Sequence, residues 1–138
     1  MMRSLIVVLL LAVAGLFGQP GLAAPSGDEA VASGHAWLAL VDHDKFGESW
    51  TTASNLFRGK VDQEKWAEQV GAARAAFGTL KSRTVRGVTL TKTLPGAPDG
   101  DYAVIRFQSV FEKKAEASET LVLTLESEYW AMTGYLIR

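Results

Sequence analysis

The sequence has no cysteine, only two histidines and four prolines, and its longest apolar-and-small run, Leu5 to Phe17, covers 13 residues. Without cysteine there is no disulfide framework, thiolate metal site, cysteine nucleophile or lipidated-cysteine anchor. A run of 13 residues falls short of the ~20 that a membrane-spanning helix requires. Neither sign of charge prevails, with 14 Lys+Arg against 15 Asp+Glu, so the broad basic surface that phosphate backbones demand is lacking and nucleic acid is not an expected partner. Also missing are a Gly-x-Ser-x-Gly elbow, a phosphate loop, a His-Glu-x-x-His helix and a calcium loop. Hydrolase, nucleotide-binding and metalloenzyme readings therefore have no support, and neither a cofactor nor a metal is expected.

What is present begins with a leader. Arg3 supplies a positive start, the 13-residue run follows, and Gln19, Pro20 and Gly21 break it. This is the layout of a secretory signal peptide over residues 1–23. Cleavage is expected between Ala23 and Ala24, because Gly21 and Ala23 put small residues at the −3 and −1 positions. The chain then becomes a secreted, periplasmic protein with no membrane anchor after cleavage. Sixteen of the 23 leader residues are apolar, so the 48% apolar content of the whole chain overstates that of the folding part. Residues 24–27 read as a flexible tether and 28–138 as one domain, long enough to build a core without staples.

From Asp28 the apolar positions Val31, Gly34, Trp37, Leu38 and Val41 recur at helical spacing, with Ser26 or Asp28 as N-cap and Asp42-His43-Asp44 ending the helix. One spacing then occurs twice, as Phe46, Trp50, Ala53, Phe57 and as Trp66, Val70, Ala73, Phe77. Each set falls at i, i+4, i+7, i+11 and predicts an apolar helix face. Gly59 closes the second helix, Asp62 caps the third and Gly78 ends it.

After Gly78 the period changes to two. Residues 80–94 are rich in Thr and Val and predict a long strand with a bulge at Gly87. Pro95 to Gly100 is a turn, with positive φ expected at Asp99-Gly100. Strands follow over Tyr102–Glu112, Ser118–Ser127 and Tyr129–Arg138, with Lys113–Glu116 as the second turn. The expected fold class is α+β, three N-terminal helices packed on a curved four-stranded antiparallel meander.

Five ordered blocks also resemble a known family: Ser49-Trp50 with Ala53-Ser54 and Phe57-Arg58; Gly78 with Ser82-Arg83; Leu94 to Gly100 with Tyr102; Phe111-Glu112 with Glu119-Thr120; and Trp130 with Gly134-Tyr135, Ile137 and Arg138. Together they are similar to the uncharacterised bacterial family known as domain of unknown function four thousand and nineteen. Where that family's ending has Arg after the Trp and a Gly or Asn in the preceding turn, this chain has Ala131 and the turn Glu126-Ser127-Glu128. The resemblance implies an exported protein with a helical half followed by strands, similar to the cone folds of the nuclear-transport-factor-two-like and cystatin-like type. It implies no catalytic residue.

Both histidines have structural readings. His35 falls off the apolar stripe of its helix, and His43 stands between two aspartates whose side chains diverge at a helix end. A pocket between helices and sheet would be lined by Trp37, Trp50, Trp66 and Phe107, with Ser109, Tyr102, Tyr135, Arg83 and Arg106 as its polar candidates. Aromatics at helical spacing are ordinarily core, and strand charges ordinarily pair across strands, as Arg83, Glu119 and Arg138 could. Glu112, Glu119 and Glu126 are expected at strand ends and turns, in water. The sequence thus favours a non-catalytic module binding a small hydrophobic ligand or peptide, or serving as a scaffold, over a cofactor-free isomerase or dehydratase with Tyr102 or Tyr135 as donor. A homodimer through the open sheet face, bearing Tyr102, Val104, Val110 and Val122, is compatible with both.

Overall fold

Helix α1 (Gly27–Asp42) starts where the Ser26 side chain accepts a hydrogen bond from the Glu29 amide. It ends at His43, beyond which Asp44 takes a positive φ of 60°. The computed structural model describes residues 26–138 and the backbone of Leu5–Val8. The expected cleavage site and the rest of the expected leader lie outside the described residues.

The expected second helix is two short ones, α2 (Phe46–Thr51) and α3 (Asn55–Arg58). The break has a tertiary cause. The Ser54 amide donates to the Met132 carbonyl of the sheet at 2.8 Å, and the Ser54 hydroxyl accepts from the Phe57 amide while donating to Thr133. A residue so occupied sits at an N-cap, with extended backbone angles, and cannot continue the preceding helix. Helix α4 (Gln63–Phe77) is capped by Asp62 and stops at Gly78, whose φ of 78° suits a residue without a side chain. A Cβ there would also lie 3.1 Å from that of Glu112.

Strand β1 (Leu5–Val8) precedes the helices, and β2 (Leu80–Thr91), β3 (Tyr102–Phe111), β4 (Lys114–Glu126) and β5 (Tyr129–Ile137) follow them. The last four form the expected antiparallel meander. β1 adds a fifth strand on the free side of β5, giving the order β1-β5-β4-β3-β2. The register slips between Val85 and Gly87, where a bulge was expected. The long turn differs from expectation, because its positive φ falls at Gly96 rather than at Asp99-Gly100. The second turn is tighter than expected, so β4 starts at Lys114 and its centre moves toward the turn. At the third turn Ser127 holds a φ of 56°, the left-handed geometry that Gly or Asn adopts most readily.

The core lies between the helices and one sheet face. It contains Leu38 of α1, Phe57 of α3, Trp66 and Val70 of α4, and Ile105, Phe107, Leu121, Leu123 and Tyr135 of the sheet. Gly34 on the apolar stripe of α1 marks its closest approach to the strands. A Cβ at that position would come within 3.1 Å of Leu121 and 3.2 Å of Ile105.

Candidate functional site

Glu119 sits in mid-strand, on the same side of β4 as Leu121 and Leu123, and is 0% exposed. This corrects the expectation of a solvated carboxylate at a strand end. The early start of β4 places it inside, and the two-residue strand period aims it at the helices. A carboxylate removed from water needs hydrogen-bond donors in its place. Glu119 has four. Its Oε1 accepts from Arg83 Nε at 2.8 Å and from Ser109 Oγ at 2.6 Å, and its Oε2 accepts from Arg83 Nη2 at 3.2 Å and from the Tyr135 hydroxyl.

Arg83 reaches this carboxylate across the intervening strand β3. The other side of its planar guanidinium grips Asp42 at the end of α1, with Nη1 on Oδ2 at 2.8 Å and Nη2 on Oδ1 at 3.0 Å. Arg74 of α4 donates its Nη2 to the same Oδ1 at 2.7 Å and lies over the Phe111 ring, 4.9 Å from its centroid. Two guanidinium groups thus face two carboxylates, and the network is neutral overall. It ties α1, α4, β2, β3, β4 and β5 together through side chains alone. Arg74 is only 6% exposed, and its Nε and Nη1 have no hydrogen-bond partner among the described residues.

The environment sets the protonation states. Burial raises the Asp42 carboxyl, but the hydrogen bonds and charges of Arg83 and then Arg74 outweigh it, and its pKa lies below the ordinary aspartate value. For Arg83, burial acts downward and its two carboxylate partners act upward more strongly, so it stays charged. Burial, followed by the Glu119 charge, holds the Tyr135 hydroxyl well above the ordinary tyrosine value. Tyr135 is therefore a fixed neutral donor at physiological pH.

Of the residues expected to surround a pocket, Arg83, Ser109 and Tyr135 meet in this network. Phe107 packs beside it, with Arg83 5.9 Å from its ring centroid and His35 edge-on at 5.4 Å. Trp37 and Trp66 are core residues with their indole hydrogens in use. Trp37 Nε1 donates to the Ser49 carbonyl and Trp66 Nε1 to the Ser49 hydroxyl, both at 2.9 Å. Half-buried Trp50 donates to Val61 O at 2.6 Å. Arg106 is exposed on the far face of the sheet. Tyr102 keeps the strand parity of Val104, as expected, but is covered there rather than open. It is 3% exposed, and its hydroxyl donates to the Pro98 carbonyl of the neighbouring turn. Burial and then the Asp99 charge raise its pKa. Arg138 is exposed and meets Ser118 only through the backbone.

Three members of the network were not singled out from sequence as site residues: Asp42, Arg74 and Glu119. Two carried a signal. Glu119 has the strand parity of the inward leucines, and Arg74 continues the buried series Trp66, Val70 by a further four residues. Among the described residues no group of acidic or histidine side chains is arranged to hold a metal ion, and no helix is long and apolar enough to cross a membrane. Exposed His43 hydrogen-bonds the Ala39 carbonyl at its helix end.

The family model for proteins of unknown function termed DUF4019 matches residues 33–135. The chain belongs to this family. No curated protein and no solved structure matches it. The matched stretch of the DUF4019 domain takes in every member of the network, from Asp42 to Tyr135. It leaves out residues 1–32, which include the start of α1, and residues 136–138.

A second feature lies at the rim of the sheet. A cleft of about 450 Å³ is lined by Leu90, Thr91 and Lys92 of the first hairpin, by Asp101 and Tyr102 across from them, and by Trp130. Lys92 pairs with Asp101 on its edge, and Leu90 is 47% exposed. The Trp130 indole nitrogen is buried and has no hydrogen-bond partner among the described residues.

Proposed function

We propose that this DUF4019 domain is an exported, non-catalytic module that binds a small hydrophobic ligand or peptide or acts as a scaffold. The observation that carries the reading is the saturation of Glu119. A carboxylate has room for about four hydrogen bonds, and here all are made. General acid–base catalysis needs a group free to exchange a proton with a substrate. Glu119 is closed off by its donors, Tyr135 is held neutral against it, and both histidines are on the surface. A cofactor-free isomerase or dehydratase is the less favoured reading for that reason. The sequence of residues 1–23 supports export, and the reading includes the sheet curvature that the family resemblance implies.

On this reading the rim cleft is where a small ligand sits. Its volume of about 450 Å³ falls in the range of ligand pockets, and Leu90 offers exposed apolar surface beside the polar Thr91 and Lys92. The test is a thermal-shift screen of the leaderless domain against small apolar metabolites and lipids. A compound at ten times its Kd adds about 1.4 kcal/mol of stability, a rise of several degrees in Tm, and Leu90→Lys should abolish that rise. A screen in which no compound stabilises the domain would sink the small-molecule version.

A further inference from the structure

The two edges of the sheet are built differently. The outer edge of β2 carries Lys81, Arg83 and Arg86 and is interrupted by the bulge between Val85 and Gly87. Charges and bulges of this kind keep an edge from pairing with another strand. On β5 the slip of register against β4 falls at Thr133, and the outer edge beyond it has no such protection. Its last residues, Gly134-Tyr135-Leu136-Ile137, include no charge and no proline. They are paired with β1 in antiparallel register, Leu5 opposite Ile137 and Val8 opposite Gly134.

Those β1 residues, Leu-Ile-Val-Val, belong to the segment read as a leader. When the leader is removed, the backbone N–H and C=O groups of β5 on that side lose their partners. Unpaired groups along an apolar, unprotected edge are a template for strand addition.

We propose that the outer edge of Gly134–Ile137 in the mature protein is a strand-acceptor site, taking one extended aliphatic segment of a partner protein in the place that β1 occupies. This rests on the reading of residues 1–23 as a removed leader. The occupant is a lone strand rather than a second copy because α4 also comes alongside β1. A second β5 would bring its own α4 against the first, whereas a single strand extends the sheet at this edge and brings no helix with it. In the β1 register, partner residues opposite Tyr135 and Ile137 share the helix-facing side of the sheet. Both β5 residues are buried there, so those partner positions must be apolar. The remaining affinity comes from main-chain hydrogen bonds.

The test uses the leaderless domain, residues 24–138, and a synthetic peptide carrying Ser4 to Leu9, flanked by lysines for solubility. Calorimetry should show one peptide bound per domain. Amide exchange followed by NMR should slow about tenfold at those amides of residues 134–137 that point away from β4. A peptide with the same side chains but alternate backbone nitrogens methylated should not bind. The proposal is overturned by absence of binding, by binding without protection at 134–137, or by a leaderless dimer whose edge amides are already protected. Amino-terminal sequencing of protein recovered from the periplasm separates the two layers of the argument. Intact residues 1–23 would refute the leader reading and, with β1 left in place, the proposal too. A cleaved terminus with a non-binding peptide refutes the strand-acceptor site alone.

Discussion

Truncating Glu119 to alanine would leave Arg83 buried beside Asp42 with half of its fork unpaired, and Ser109 and Tyr135 without their acceptor. Breaking a buried ion pair by deleting one partner typically costs about 3–5 kcal/mol, whereas replacing both partners with apolar groups of similar size is often close to neutral. Urea unfolding should therefore show Glu119→Ala destabilised by about 3–5 kcal/mol and Arg83→Met/Glu119→Leu less so, the rest of its loss coming from Asp42, Ser109 and Tyr135, which each lose a partner there too. A double variant as weak as the single one would place the cost in Asp42, Ser109 and Tyr135 rather than in the Arg83–Glu119 pair. At this scale the sequence was only partly legible. It pointed to Arg83, Ser109 and Tyr135, because strand parity is local information; of Arg83, Glu119 and Arg138, read as partners across neighbouring strands, only the first two meet, and they do so across the intervening β3. Asp42 read as a helix terminator, since nothing local tells that a residue ending one helix will meet guanidinium groups from α4 and β2.

Ser54 decides the shape of an entire segment. Its hydroxyl caps α3 and bonds Thr133, and its amide is tied to the carbonyl of Met132. Ser54→Ala keeps the backbone bond and removes both hydroxyl bonds. Loss of a cap costs about 1 kcal/mol, and the buried Thr133 hydroxyl, left without that partner, adds to it. Chemical denaturation should find a loss of about 1–3 kcal/mol; an unchanged midpoint would mean that the break between α2 and α3 is fixed by the backbone bond alone. The periodicity of Phe46, Trp50, Ala53 and Phe57 correctly marked which residues are on the inner face. It could not show that they belong to two helices, because the cause of the break lies on a strand some eighty positions away. The strands were better marked, since alternation and turn residues are written into neighbouring positions. The same locality made Gly78 and Asp62 legible as helix boundaries.

With no cysteine in the chain, the stability of the whole domain rests on packing, hydrogen bonds and the ion network. Asp42 gives that stability a pH dependence of fixed sign. Its folded pKa is depressed, so its contribution is fully present above the ordinary aspartate pKa of about 3.9. It is lost as the pH falls through the folded value. The stability difference between wild type and Asp42→Asn, measured in urea, should therefore be largest near neutrality and shrink as the pH falls below about 4. A difference that stays constant into acid would show that the carboxylate charge is not what Arg74 and Arg83 hold. The α+β layering was legible at this scale from the switch of hydrophobic period at Gly78. The fifth strand was not, because residues 1–23 read as a leader, and that reading carries no sign of which edge Leu5–Val8 would meet.

The contact between Trp37 and Trp66 has an optical consequence. The indoles lie 6.1 Å apart at an interplanar angle of 42°, close and tilted enough for their excited states to couple. Both belong to the helical layer, on α1 and α4, and hydrogen-bond the same residue, Ser49. The pair should give the domain a near-ultraviolet circular dichroism signature that reports on the register of α1 against α4, with a share from Tyr135 of β5, edge-on to Trp37 at 5.3 Å.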